Sequence, residues 1–288
     1  DTSDYFAGVA REATGGTKVI GAFYGFMYEF AGNPEFGHNA LGKYARSRNL
    51  DFVFATASYG QRQFSSGGDY PRSPSLSVML HGKVWYNDND TGSYLTWKRF
   101  ASFPKQKRDL YASWSGLTDN AAQTVEMYRR TTGFALCGGM FQSFFDVQGG
   151  SYDDPQLMAE IETLNQVFAR GKNYDRGSNS EILIVSDEDS CSYCSFDNLM
   201  LRVSLRHTQW SLCKIGAPVD HVLVNDLALL DVSRYKFVVF LNAYHLTAEQ
   251  REMIDCLKRE GRTLLWCYAP GYFQGTQASV EAMQKLTG

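Results

Sequence analysis

Apolar runs of strand length alternate with segments of helical period along the whole chain. The first half contains four predicted strands, at 19–29, 51–59, 76–88 and 138–147. Three predicted helices accompany them, at 38–48, 120–136 and 155–170. Strands that alternate with helices in this way are typical of parallel α/β folds, so we expect an α/β protein.

Capping residues support several of the predicted helices. Asn120 stands before the second helix, and Asp154 followed by Pro155 suits the start of the third. In the second half, Thr247 and Gln250 have the spacing of a capping box before a helix near 248–260.

A polar segment rich in Gly and Ser, residues 171–180, separates two parts of the chain. It predicts a boundary that leaves domains at 1–172 and 180–288. After it, the nearly continuous apolar runs ILIV, FVVFL and TLLW alternate with helical segments, including a long predicted helix near 196–214. Such runs favour strands covered on both faces, as in an open doubly wound sheet.

Composition narrows the range of partners. The 288 residues carry a net charge of -3, and no basic stripe is interleaved with aromatic residues, so we expect no nucleic-acid partner. No apolar run approaches the length of a membrane span, so no membrane partner is expected. The 14% of aromatic residues suits carbohydrate, which stacks on aromatic faces.

Six cysteines are present, and most of them lie in apolar runs, where a thiol behaves as a small hydrophobic group. Cys191 and Cys194 form a C-x-x-C pair, but no second pair or nearby His completes a zinc site. No phosphate-binding glycine loop follows VSDED, and we interpret Asp187 to Asp189 as a solvated turn. We therefore expect no metal and no cofactor.

Acids collect at the carboxyl ends of the predicted strands in the first half: Glu29, Asp88, Asp90 and Asp146. In a (β/α) barrel these ends open on one face, where the active site forms. Paired carboxylates at such a site are the groups that glycoside hydrolysis uses. Asp and Asn also favour turns after strands, so a turn at Asp88 to Asp90 stays an open alternative.

The chain resembles family-42-type glycoside hydrolases, the bacterial β-galactosidases and their relatives, in five stretches of the first half. These are AFYGFMYE, Gly37-His38-x-Ala40-Leu41, DFVFATASYGQR, SLSVMLHGKVWYNDND and GGMFQSFFDV. Past the linker, EILIVSDED to YAPG resembles the β-galactosidase trimerisation domain. The resemblance implies half of a TIM-type barrel (strands 5 to 8) at 1–172, followed by a flavodoxin- or glutamine-amidotransferase-like open parallel sheet at 180–288.

Relatives of this type often read H-G-K-x-W-x-x-E-x-D-x-R at the seventh barrel strand, with the Glu at the nucleophile position. Four residues of this chain match directly: His81, Gly82, Lys83 and Trp85. Asp88 stands where Glu is expected, Asp90 matches, and Gly92 replaces the Arg. Asp is one methylene shorter than Glu, and a misplacement near 1 Å costs about 100-fold in rate. The resemblance therefore implies Asp88 as a weakened nucleophile.

The resemblance also implies substrate-facing positions, several of them with a structural alternative. They are Glu29 and Arg62 (sugar contact or ion pair), Tyr59, Trp85 (sugar platform or core), Asp90 and Asp146. His81, inside the predicted strand, is interpreted as a core histidine. We expect Phe144 and Phe145 to pack rather than to bind.

By the resemblance, the acid/base Glu follows the fourth barrel strand, which precedes Asp1. We therefore interpret the chain as an interior part of a longer retaining glycoside hydrolase acting on β-galactosides or related glycosides, with little or no activity alone. The alternative is a non-catalytic carbohydrate-binding or assembly protein, which the changes at Asp88 and Gly92 favour. Four barrel strands leave open edges, so we expect a homo-oligomer. The sequence specifies neither the compartment nor the sugar.

Overall fold

The computed structural model describes residues 2–59, 62–64, 68–107, 109–110, 117–147, 149–171, 173–175 and 177–288. Within them, two four-stranded sheets alternate with helices, and the strand pairs with assigned registers in these sheets are parallel. The predicted α/β class is confirmed. No helix in this part of the chain is long and apolar enough to cross a membrane.

The strands of the first sheet are β1 (Gly21–Phe23), β2 (Phe52–Thr56), β3 (Val84–Asn89) and β4 (Phe141–Phe144). The strands of the second sheet are β5 (Ile182–Ser186), β6 (Val219–Leu223), β7 (Phe237–Phe240) and β8 (Thr263–Trp266). A short hairpin, β9 (Phe273–Gln274) with β10 (Gln277–Ala278), follows.

The first five helices are α1 (Thr2–Ala13), α2 (Met27–Phe30), α3 (Leu41–Arg46), α4 (Ser75–Leu80) and α5 (Tyr94–Phe100). Then come α6 (Ala121–Cys137), α7 (Pro155–Gly171), α8 (Leu199–Leu201) and α9 (Thr208–Leu212), the last two joined by a π-helical segment (Arg202–His207). The chain ends with α10 (Ala248–Leu257) and α11 (Val280–Thr287).

The two sheets differ in strand order. The first has the sequential order β1-β2-β3-β4. Successive strands also pair in this way in a (β/α) barrel. The second has the order β6-β5-β7-β8, in which β5, the first of these strands along the chain, lies between β6 and β7. This is the start of the flavodoxin-like order of doubly wound sheets.

The packing divides the chain into two compact units. Unit 1 comprises residues 1–53, 72–84 and 179–288, and unit 2 comprises residues 54–71 and 85–178. This grouping differs from a simple division of the chain at 172–180, so the predicted domains 1–172 and 180–288 stay a prediction. Lys172, which ends the first of them, lies outside the described residues.

The core of unit 1 lies on the second sheet. Leu183, Val185 and Val222 are buried together with Val238 and Phe240, and Ile254 and Leu257 of α10 pack in the same cluster. Because β5 is buried on both faces, its sequence ILIV is a continuous apolar run rather than an alternating one. Truncating one such Leu or Ile to Ala costs about 2–5 kcal/mol of stability.

Unit 2 packs α6 and α7 on β4. Tyr128 of α6 lies beside Ile161 and Leu164 of α7, and the Phe144 ring meets Tyr128 edge to face with centroids 5.3 Å apart. This contact confirms packing for Phe144. Phe145, in contrast, is 51% exposed, so its predicted packing is not found in the unit.

The predicted strand at 19–29 is wrong beyond Phe23. Gly25 adopts φ 104°, a conformation open to glycine that ends the strand. The backbone then turns into α2, where the carbonyl of Phe26 accepts from the Phe30 amide at 2.9 Å. Glu29 consequently lies in a short helix and not at the carboxyl end of a strand.

The predicted strand at 76–88 is likewise split. Ser75–Leu80 form α4 after Pro74, Gly82 turns the chain at φ 70°, and only then does β3 begin. In a helix of only six residues, the helical periodicity of apolar positions cannot be distinguished from the continuous apolar run of a buried strand. His81 therefore ends a helix and does not lie within a strand, as the sequence had suggested.

The predicted helix caps are confirmed. Asn120 Oδ1 accepts from the Gln123 amide at 3.0 Å, and Asp154 Oδ1 accepts from the amides of Gln156 and Leu157 at 2.7 and 3.1 Å. Thr247 forms a complete capping box at the start of α10. Each such cap contributes about 1 kcal/mol to its helix.

Candidate active site

The acids and amides at the end of β3 belong to the strand itself. Asn87, Asp88 and Asn89 are its last three residues, and they are 2%, 2% and 0% exposed. In the parallel register Asp88 lies opposite Ser143 of β4, whose Oγ donates to Asp88 Oδ1 at 3.3 Å. Asp88 is therefore a buried carboxyl on a sheet face rather than part of a solvated turn.

A second carboxyl, Asp90, follows β3 and is held by two side chains. Tyr59 Oη donates to Asp90 Oδ2 at 3.0 Å, and Arg62 forms an ion pair with Oδ1, in which both side chains are nearly buried. The Arg62 guanidinium lies 4.2 Å from the centroid of the Tyr59 ring. The pairing supports the ion-pair alternative for Arg62 and fixes three of the predicted site residues in one network.

Burial and the charge of Asp90 raise the pKa of Asp88 to about 6. The hydrogen bond from Ser143 and the positive charge of Arg62 act in the opposite direction. The raised pKa means that Asp88 is mostly ionised at pH 7 and mostly protonated at pH 5. A carboxyl that titrates near neutral pH in a polar cluster is a candidate for acid/base or nucleophilic chemistry.

Asp146 joins the same cluster through Tyr152. Burial is the main cause that raises the pKa of Tyr152, and the charges of Asp146, Asp90 and Asp88 add to it. Asp146 Oδ2 accepts from the Ser151 amide at 2.8 Å. Asp146 Oδ1 and Tyr152 Oη are buried and have no hydrogen-bond partner in the described structure. They supply an acceptor and a donor that a ligand hydroxyl would satisfy.

Tyr152 was not among the residues predicted from the sequence. It lies in the segment between β4 and α7, eight residues after the last residue of the strand. Polar residues directly at strand ends are visible in the sequence, whereas Tyr152 is recognised only because its buried hydroxyl has no partner in the described structure. Its ring packs against Tyr128 and Phe144, with centroids 6.0 and 6.3 Å away.

Trp85 is 2% exposed and is among the largest buried side chains of the chain. Its indole presents no face to solvent, so the structure supports the core alternative over a sugar platform. The exposed aromatic side chains of unit 2 instead include Phe141 and Phe145 on β4 and just after it.

Glu29 belongs to unit 1, whereas Asp88, Asp90 and Asp146 belong to unit 2. Within unit 1, Glu29 forms a nearly buried ion pair with Arg72, whose guanidinium lies 4.1 Å from the Phe26 ring centroid. These contacts support the ion-pair alternative for Glu29.

His81 and the acids after β5 are structural groups of unit 1. His81 Nε2 lies 2.9 Å from Asp226 Oδ1. Asp187 and Glu188 are buried, so their interpretation as a solvated turn is wrong. The Gly42 amide at the start of α3 donates to the Glu188 carboxylate at 3.2 Å, because α3 packs against this end of the second sheet.

No group of three or more His, Cys, Asp or Glu side chains suits a metal ion anywhere in the part of the chain that the structure describes. All six cysteines are free thiols. Cys191 is fully buried, and burial raises its pKa well above the ordinary value, so the C-x-x-C pair has the character of a core feature.

Comparisons with known proteins give a distant structural similarity. No family model and no curated protein matches the chain. Among solved structures, the chain is similar to the β-galactosidase from the psychrophilic Marinomonas ef1, with 13% sequence identity and a TM-score of 0.39. The match covers 87% of this chain and 45% of the other, so this chain spans less than half of that protein's length.

Proposed function

We propose that unit 2 holds a glycoside-binding site of the retaining glycoside hydrolase type, with Asp88 at the nucleophile position. The observation that carries the proposal is the position of Asp88. It is a buried carboxyl at the carboxyl end of a parallel strand, beside a second acid, with its pKa raised to about 6. The sequence resemblance to family-42-type hydrolases supports the same residue.

The chemistry follows from what an oxocarbenium-like transition state needs. A carboxylate beneath the anomeric carbon stabilises positive charge and forms the glycosyl intermediate of a retaining enzyme. Asp88 supplies that carboxylate above about pH 6. Its short side chain places the oxygens further from the sugar than a Glu would, which lowers the expected rate.

The other residues of the cluster bind the sugar. Asp90, fixed by Tyr59 and Arg62, offers lone pairs in a rigid position. Asp146 Oδ1 accepts from a sugar hydroxyl and Tyr152 Oη donates to one, which satisfies two atoms that have no partner in the described structure. A neutral ligand with many hydroxyl groups suits this mixture of acceptors and donors.

A retaining hydrolase also needs an acid/base carboxyl about 5–5.5 Å from the nucleophile. By the resemblance, this carboxyl corresponds to none of the 288 residues. We therefore expect the 288 residues alone to bind β-galactosides and to hydrolyse them slowly or not at all.

Calorimetry with lactose and an aryl β-galactoside turnover assay test the proposal together. We expect binding in the wild-type chain that weakens at least about tenfold, or 1.4 kcal/mol, in Asp146→Ala. Asp153→Asn, which changes an exposed acid of the same segment, serves as the control and should bind normally. The absence of any sugar binding would contradict the proposal.

A non-catalytic carbohydrate-binding protein is the second candidate. Asp88 in place of Glu and Gly92 in place of Arg favour it, because both changes weaken the catalytic machinery that the resemblance implies. Sugar binding that persists while Asp88 never reacts with an activated glycoside would select this candidate.

A further inference from the structure

A pocket of about 480 Å³ lies in unit 1, beside α1 and the turn that joins α3 to β2. Its charged, aromatic and amide lining residues are Asp4, Lys43, Tyr44, Arg46, Arg48 and Asn49. Its volume falls within the range of sites for small molecules, about 300–1,000 Å³.

Positive charge dominates this pocket, although the chain as a whole has a net charge of -3. Three cationic side chains line it, against the single carboxylate of Asp4. Within the described residues, Lys43 and Arg48 form no ion pair, and Arg46 forms a long ion pair with the buried Asp226, whose Oδ1 lies 3.8 Å from Arg46 Nη1. Lys43 and Arg48 therefore keep their capacity to bind an anion, whereas the charge of Arg46 is shared with Asp226.

Asp4 forms no ion pair with these cations within the described residues. Its Oδ1 accepts from the Ser47 hydroxyl and from Asn49 Nδ2, the latter at 3.2 Å. Both donors are neutral and hold the carboxylate against the wall. Three cations stand against the carboxylates of Asp4 and of Asp226, the partner of Arg46, so the pocket keeps an excess of about one positive charge.

The dipole of α3 explains only part of this arrangement. Lys43 and Arg46 lie in the last turn of the helix, where cations interact favourably with the carbonyl ends. Arg48 lies beyond the extended cap residue Ser47 and gains nothing from the helix, yet it lines the same pocket.

The walls of the pocket are rigid. The Tyr44 ring stacks on Tyr24 with centroids 3.8 Å apart and an angle of 12° between the planes. On the other side, Arg11 Nη2 donates to the Asn49 carbonyl at 3.0 Å and pairs with Asp51 at 2.6 Å. Because these side chains are already held in place, little conformational entropy is lost when a ligand binds.

We propose that this pocket binds the phosphate monoester of a monosaccharide-sized molecule. Arginine guanidinium groups bind phosphate oxygens in a planar, two-pronged geometry, and lysine adds a point charge. Lys43 and Arg48, which form no ion pair within the described residues, supply two positive charges for a phosphate dianion. The remaining volume, with Asp4 and Asn49 in its wall, suits the hydroxyl groups of a sugar. This site is independent of the function proposed for unit 2.

Calorimetry at low ionic strength tests the proposal with glucose 6-phosphate, inorganic phosphate and glucose as separate probes. We expect glucose 6-phosphate to bind the wild-type chain with a Kd on the order of 0.1 mM, inorganic phosphate about tenfold more weakly, and glucose not measurably. The double variant Lys43→Gln/Arg48→Gln should weaken the binding of glucose 6-phosphate at least about tenfold.

The matched control is Lys214→Gln/Lys285→Gln, which removes the same charge from exposed positions outside the pocket and should bind as the wild type does. Equal weakening in both double variants would show that binding depends on the overall charge of the protein and not on this pocket, and would overturn the proposal. So would the absence of binding, or equal affinity for glucose. Equal affinity for inorganic phosphate would overturn the assignment of a sugar phosphate.

Discussion

Glu188→Gln probes the packing of α3 against the end of the second sheet. Glu188 is 6% exposed, and its carboxylate accepts from the Gly42 amide at 3.2 and 3.3 Å. Burial, followed by the charges of Asp189 and Asp187, raises its pKa from 4.5 to about 7, against the hydrogen bonds from the backbone of Gly42 and Leu41. The folded protein thus prefers Glu188 protonated.

The sign and size of the effect follow from proton linkage. Between pH 4.5 and 7 the folded state binds more protons at Glu188 than the unfolded state does. The contribution of Glu188 to stability is therefore fully present below about pH 4.5 and is lost as the pH rises through about 7. A shift of about 2.5 pH units (7 minus 4.5), at 1.36 kcal/mol per unit, sets the loss at about 3 kcal/mol.

Gln keeps an oxygen for the Gly42 amide and carries no charge at any pH. We expect Glu188→Gln to match the wild type near pH 4.5 and to be more stable by up to about 3 kcal/mol at pH 8. Urea unfolding followed by circular dichroism at pH 4.5, 6 and 8 measures the difference. Glu281→Gln, at an exposed position of α11, is the control. A variant whose stability changes with pH as the wild type's does would refute the reasoning.

Two further predictions concern unit 2. Arg62→Leu leaves the buried carboxylate of Asp90 without its cation, so we expect a loss of about 3–5 kcal/mol in urea unfolding. The double variant Arg62→Leu/Asp90→Asn should recover most of this loss, and a single variant as stable as the wild type would contradict the burial of the pair. Phe141, Phe145 and Val147 are exposed apolar side chains on and just after β4, and we expect the chain to self-associate through them. Sedimentation equilibrium should show an assembly that Phe145→Asp weakens, whereas a monomeric wild type would contradict the expectation.

The sequence was sufficient to predict those elements that local patterns determine. The continuous apolar runs of β5 and β7, and the caps at Asn120 and Thr247, are local patterns of this kind. TLLW forms β8 as predicted, but its predicted cover on both faces is wrong within the unit, because Leu265 is 45% exposed. The predicted strands at 19–29 and 76–88 failed where a glycine with positive φ, Gly25 or Gly82, joined a short helix to a strand. Apolar content alone does not separate a buried helix of four to six residues from a strand.

The candidate site was predictable in part for the same reason. Asp88 and Asp90 were found because they end a strand, and Asp146 because it follows the next one. The burial of Glu188 depends on Gly42, which is 146 residues away in the sequence, so no local pattern indicates it. Tyr152 required coordinates, since only they show that its hydroxyl has no partner.

Covalent labelling tests the role of Asp88 most directly. A 2-deoxy-2-fluoro-β-galactoside with a dinitrophenolate leaving group needs little protonation of that group, so the nucleophile acts without an acid/base residue. We expect intact-protein mass spectrometry to show one added fluorosugar, mapped to Asp88, at a rate that rises with pH around 6 because the carboxylate must be ionised. Asp88→Asn should take up no label. A wild-type chain that binds the glycoside yet remains unlabelled, or that carries the label on another residue, would contradict the assignment of Asp88 as the nucleophile.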